Sequence, residues 1–121
     1  MGKFILKPTR TGIKFDLLGA DDAVLATSEV YSSESACLNG VESVKKSCVG
    51  GVEDQTVEGF ESLTHPKFEI FLDQGGKFRF HLKAVNGQIV AVSKAYDDKA
   101  DCAACIEAVK AAAPEAQIEN N

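Results

Sequence analysis

Apolar positions recur at every second residue over two short stretches late in the chain, a short unbroken apolar run follows, and the spacing then changes to that of a helix. Phe68, Ile70 and Leu72 fall at alternate positions, as do Phe78, Phe80 and Leu82, the period of half-buried strands. Asp73-Gln74-Gly75-Gly76 joins these two runs and supplies glycines for a turn that needs positive φ. Asn86-Gly87 predicts a tight hairpin into a third strand, Ile89-Val90-Ala91-Val92. After Tyr96 the apolar positions Cys102, Ile106, Val109 and Ala113 fall on one helix face, and Asp97-Asp98 are candidate N-caps. Pro114 should end this helix, and a short apolar step around Ile118 reads as a fourth strand.

The first half carries the same series. Phe4 and Leu6 begin it, followed by Ile13, Phe15 and Leu17, and then by Val24-Leu25-Ala26. Its turns use Thr11-Gly12 and Gly19-Ala20-Asp21-Asp22. Ser32-Ser33 precede a helix whose stripe is Cys37, Val41, Val44 and Cys48, with Gly50-Gly51 as its stop and a strand around Val52. A constant offset of 65 pairs Phe15 with Phe80, Ser28 with Ser93, Tyr31 with Tyr96, Cys37 with Cys102 and Glu42 with Glu107. The chain therefore reads as a tandem repeat, residues 1–54 and 67–121, around a connector at 55–66. One such unit is too short to cover its own helix stripe. The two are expected to share one sheet and one core as a single domain.

Composition narrows the function classes. The chain has 121 residues, with 13 Lys plus Arg against 18 Asp plus Glu and a formal net charge of −5, which makes nucleic acid an improbable partner. No apolar run reaches the roughly 18–20 residues of a membrane span. The segment Met1–Pro8 has too short an apolar stretch for a secretory signal, and Leu6 stands where a myristoylation signal needs Ser or Thr. Four cysteines without such a signal imply reduced thiols and a cytoplasmic location.

The second half, from Lys67-Phe68-Glu69-Ile70-Phe71 through Lys77-Phe78-Arg79-Phe80-His81-Leu82-Lys83 to Asn86-Gly87, Ser93 and Tyr96, resembles the YegP-like family. The first half keeps the family's helix pattern in Asn39-Gly40-Val41-Glu42-Ser43-Val44-Lys45, but has Ala20-Asp21-Asp22-Ala23 where Asn-Gly is expected. The resemblance implies an α+β fold: a tandem duplication of a β3-α-β unit sharing one mainly antiparallel sheet. Both helices would pack on one face, and the C-terminal strands would be exchanged between halves. Single-copy relatives would build the same object as homodimers, so this duplicated chain is expected to be a monomer. The family brings no established activity, cofactor or catalytic residue.

Candidate chemistry is sparse. Cys102-Ala103-Ala104-Cys105 is a CxxC motif, but Asp97, Asp98 and Asp101 precede it, and negative charge raises a thiol pKa. Cys37 lacks a partner three residues on because Gly40 stands there. Packing is thus the leading reading of Cys37 and Cys102, while Cys105, off the central stripe, is the most reactive candidate. No metal site is expected. Cys37 and Cys48 would lie about 16 Å apart along one helix, too far for one zinc ion. No nucleotide-binding glycine motif occurs, and no cofactor is expected.

Two arrangements bear on binding. Arg79, His81 and Lys83 alternate with inward Phe78, Phe80 and Leu82, forming a cationic ladder on the outer sheet face. A solvated face is the plain reading; an anion, an acidic partner or a nucleic-acid backbone is the sharper one. His81 is expected to be solvated, and Phe71 and Ile5 should share its face. Ser28, Ser93, Tyr31 and Tyr96 precede the helices and would frame two anion sites there, or else would close the core and satisfy backbone groups. The leading function is a non-enzymatic binding module for a protein or a small anionic ligand. A thiol redox protein using Cys105 and Cys102 is one alternative. Weak anion or nucleic-acid binding through Arg79, His81 and Lys83 is the other.

Overall fold

A computed structural model describes residues 2–120, so the outermost ends of the expected repeats, Met1 and Asn121, lie outside it. Strands β1 (Lys3–Pro8), β2 (Ile13–Leu18) and β3 (Val24–Thr27) precede helix α1 (Glu34–Ser47) and strand β4 (Gly51–Asp54). The series recurs as β5 (Lys67–Leu72), β6 (Phe78–Lys83), β7 (Ile89–Val92), α2 (Lys99–Ala112) and β8 (Gln117–Asn120). Both short apolar steps after the helices are strands. Pro114 lies in a single 3-10 turn, Ala113–Glu115, between α2 and β8.

All eight strands form one mixed sheet in the order β4-β5-β6-β7-β3-β2-β1-β8. The first half's last strand therefore lies beside β5, and the second half's last strand beside β1. Both of these pairings are parallel, and the others are antiparallel. At the centre, β3 and β7 meet through one residue pair, Thr27 and Val92. Helix packing holds this narrow seam: α1 touches β7 and β6 as well as β2, and α2 touches β3 as well as β5 and β6.

The alternation works as the sequence pattern requires. Phe4, Leu6, Phe15 and Leu17 face inward from β1 and β2, and Phe68, Ile70, Phe80 and Leu82 do so from β5 and β6. They join both helix stripes in one core cluster. Phe4 meets Phe15 edge-on with ring centroids 5.5 Å apart, and Phe68 meets Phe80 likewise at 5.7 Å. Each large side chain removed from water contributes about 1.5–3 kcal/mol as an upper figure.

Three local readings change. Gly87 takes positive φ, as an Asn-Gly hairpin needs, and in the first half Asp22 fills that role with φ 64°. Gly50 does not end α1 by left-handed geometry: the C-cap is Cys48 in the right-handed region. A Cβ on Gly50 would collide with the Pro66 carbonyl, so glycine is needed there for close approach of the connector. Ser33 caps α1 by accepting from the Ala36 N–H at 3.1 Å, whereas the Asp98 side chain makes no capping bond. The Asp98 backbone carbonyl instead accepts from the N–H groups of Asp101 and Cys102.

Candidate functional site

Because both helices cover one face, the outward residues of the strands form the other. In register across the second half run Glu53, Glu69, His81 and Val92, and Thr27, Asp16 and Ile5 continue the row across the first. This register overturns the expectation of an open cationic ladder. Glu69 falls opposite His81, pairs with Lys67 at 3.1 Å and Lys83 at 3.2 Å, and meets the His81 ring at Nε2. Arg79 is bound by Asp73 at 2.7 Å. His81 is correspondingly not solvated; its side chain is 18% exposed and its ring centroid lies 4.9 Å from that of Phe71. Phe71 does share this face. The first half has the same logic with other residues, since Asp16 binds Lys7 at 2.7 Å, Lys14 at 3.5 Å and the Thr27 hydroxyl at 2.7 Å.

The most enclosed charges lie under the connector, which must run back from the end of β4 to the start of the parallel strand β5. Its Leu63 N–H donates to Glu53 at 2.7 Å, and the Gln55 amide donates to the same carboxylate at 2.6 Å. Lys67 bridges Glu53, at 2.7 Å, to Glu69. Burial alone would raise the Glu53 pKa, but hydrogen bonds from Gln55, Lys67 and Leu63 more than offset it and hold it at about 2. Burial also opposes ionisation of Glu69 and Asp16, but hydrogen bonds from His81, Lys67 and Lys83 to the first and from Lys7 and Thr27 to the second prevail, lowering both pKa values.

A carboxylate held below its ordinary value of 4.5 contributes stability that is present above that value and is lost as pH falls toward about 2. The urea midpoint should therefore decline over this window. A flat midpoint between these limits would contradict the buried network.

The serines and tyrosines before the helices serve the backbone. The Phe15 N–H donates to the Ser28 hydroxyl at 2.9 Å, and that hydroxyl donates to the Glu29 carbonyl at 2.7 Å. Ser93 repeats both bonds with Phe80, at 2.9 Å, and Lys94, at 2.8 Å. Tyr31 then rejoins β2 by a bridge to Ile13, as Tyr96 does β6 by a bridge to Phe78. Two residues on β2 thus face three on the returning chain, and the serine hydroxyl fills the ladder position that the bulge vacates. Ser93→Ala leaves a buried N–H without a partner and should cost about 1–3 kcal/mol in chemical denaturation. A loss near zero would show that another group satisfies Phe80.

All four thiols are free and buried. Cys105, expected to be the reactive one, is 7% exposed. It donates to the Leu25 carbonyl of β3 at 3.3 Å, which ties the second half's helix to the first half's strand. Burial pushes Cys105 up, although Tyr96 and Lys94 favour its thiolate; burial and the neighbouring Cys105 push Cys102 up to about 11. Native protein should therefore label slowly and uniformly with iodoacetamide at neutral pH. Rapid modification of Cys105 alone would contradict this.

The same spot explains a residue that spacing alone left unread. Gly40 occupies the position that Cys105 has in the other helix, and a Cβ there would collide with the Tyr31 hydroxyl. A tyrosine over a small helix residue is thus shared by both halves. The residues that prediction grouped do not converge on one reaction centre. Arg79, His81 and Lys83 face outward, Ser28 and Ser93 turn to the backbone, and Cys102 and Cys105 lie in the core.

One concavity does open at the seam. It has a volume of about 330 Å³ and runs between β3 and the end of β7, with Arg79 and Lys94 on one side and Val24 on the other.

Comparison with known proteins fits this architecture. The profile of the domain of unknown function DUF1508 matches residues 12–52 and again 73–120. The chain belongs to the DUF1508 family. It is 35% identical over 119 residues to the UPF0339 protein PA0329 of Pseudomonas aeruginosa, spanning 98% of this chain and 96% of that protein. A UPF0339 protein of Methanosarcina acetivorans is 54% identical over 52 residues, 43% of this DUF1508 chain and 90% of the relative. Among solved structures, yegP of E. coli superposes with a TM-score of 0.80 at 26% identity, covering 99% of this chain and 92% of that one. The UPF0339 protein SO3888 of Shewanella oneidensis follows at 0.79 and 26% identity, covering 98% and 90%. The resemblance read from the sequence is borne out, and with it the α+β class: eight strands in one mixed sheet with two helices.

Proposed function

We propose that this DUF1508 protein is a non-enzymatic binding module, a tandem duplication of a β3-α-β unit that acts as a monomer in the cytoplasm. The duplication is supported by the recurring element order, by the 65-residue offset and by the two matches to one family profile. It is supported too by relatives that align over 52 residues, about one unit. The four free, buried thiols accord with a reducing compartment. No helix among the described residues is long and apolar enough to cross a membrane.

The observation that carries the binding reading is the single-sided arrangement of the helices. It leaves the outer sheet face open at the seam, with Val24 and Val92 exposed and Arg79 beside them. Ser28, Ser93 and His81 are meanwhile committed to structural bonds, and Cys102 and Cys105 are buried in the core. A test pairs the native chain with a face-blocked variant, Val92→Glu, and a variant of the opposite surface, Glu42→Lys. Associates held from native extract by the first and third but not by the second support the reading. Retention by all three, or turnover of a substrate as the one reproducible property, overturns it.

A further inference from the structure

The seam cleft differs from the rest of the outer face in the state of its cations. Elsewhere Lys7 and Lys14 are bound to Asp16, and Lys67 and Lys83 to Glu69. Lys94 has no carboxylate partner among the described residues. Its ammonium lies 5.4 Å from the centre of the Tyr96 ring, and the residue lines the cleft. Arg79 is bound to Asp73 through Nε, and its two Nη groups donate no hydrogen bond among the described residues. A guanidinium held along one edge presents the other as a preset fork for a carboxylate or phosphate. Asp73 therefore orients Arg79 without consuming its binding edge.

Apolar surface stands next to this charge. Val24 is 49% exposed and Val92 36%, and both line the cleft with Leu25 and Ala26. The volume of about 330 Å³ lies at the small end of the range for ligand sites. The space exists because of the fold: β7 leaves the sheet at the Ser93 bulge just after its one pairing with β3, so Val24 to Ala26 pair with β2 on one side and with no strand on the β7 side. The anionic group nearest in the outward row, Asp16, is neutralised by Lys7 and Lys14.

We infer that the seam cleft binds a small organic anion, with Arg79 and Lys94 holding its carboxylate or phosphate and Val24 and Val92 receiving a short apolar body. This rests on the reading of the chain as a binding module and names the ligand class for its open face. Its chemistry needs both parts. Charge alone would be shared with every exposed lysine, and apolar contact alone would leave the Arg79 fork and the exposed Lys94 ammonium without a role.

The test is an amide chemical-shift titration of the full chain with butyrate, phenyl phosphate and inorganic phosphate at constant ionic strength. Saturable shifts centred on Val24, Val92 and Lys94 are expected with butyrate or phenyl phosphate, and whichever binds more tightly identifies the anionic group. Inorganic phosphate should bind more weakly than phenyl phosphate. Arg79→Gln and Lys94→Gln should each weaken binding by about tenfold. Lys46→Gln, on α1, should leave it unchanged. Uniform small shifts on all surface lysines, or binding indifferent to both cleft substitutions, would overturn the inference. If the extract experiment still separates Val92→Glu from Glu42→Lys, only the ligand class fails; if it does not, the module reading fails with it.

Discussion

Lys67→Met should destabilise the fold by about 3–5 kcal/mol, far more than removal of an exposed lysine. The lysine side chain is 8% exposed between Glu53 at 1% and Glu69 at 5%, so its loss leaves two carboxylates under the connector without their shared cation. Methionine retains most of the stem, which confines the change to charge. The pH dependence identifies the cause. Hydrogen bonding to Glu53 holds the Lys67 ammonium pKa above its ordinary value of 10.5, despite the opposing effect of burial. The stabilisation it provides is thus complete below that value and is lost as pH rises through the higher folded one. On the acid side, the wild type's advantage should shrink as the carboxylates protonate. Urea denaturation of both proteins at neutral pH and near pH 3 measures this. A deficit that did not narrow in acid would mean that the variant fails for packing reasons.

Phe80→Ala and Phe15→Ala should each cost about 3–5 kcal/mol, since each ring is at most 1% exposed and sits edge-on against a second phenylalanine. The form of the unfolding curve matters as much as the size. Helix α1 packs on β2 of its own half and on β6 and β7 of the other, so one cavity should weaken both halves together. Unfolding followed by circular dichroism and by Tyr31 and Tyr96 fluorescence should remain one coincident transition in both variants. Two separated transitions, with only the mutated half shifted, would show that the halves have independent cores.

The strand and helix order was legible because each element encodes itself locally. The alternation of Phe78, Phe80 and Leu82 and the spacing of Cys102, Ile106 and Val109 need no knowledge of distant residues. The open face was legible only in its direction. That Arg79, His81 and Lys83 point outward follows from the period of two, but their partners depend on the β5–β6 register, which sets Glu69 against His81. The enclosure of Lys67 is still less local, because it requires Leu63 to return across the outer face. Cys105 misleads for a related reason. Its place off the stripe implies exposure along an isolated helix, yet Tyr96 and Leu25 arrive from other elements to enclose it. A signal for this was present in the pairing of Gly40 with Cys105 beneath two equivalent tyrosines.

The placement of β4 and β8 has a mechanical result. Each of these strands is hydrogen-bonded to the half from which it does not come, at opposite ends of the sheet. A protease cutting among residues 55–66 would produce two polypeptides, each still clasping the other by its final strand and by a helix laid across the midline. Severing the covalent link thus leaves a single interlocked particle, whose fragments separate only when denaturant is added.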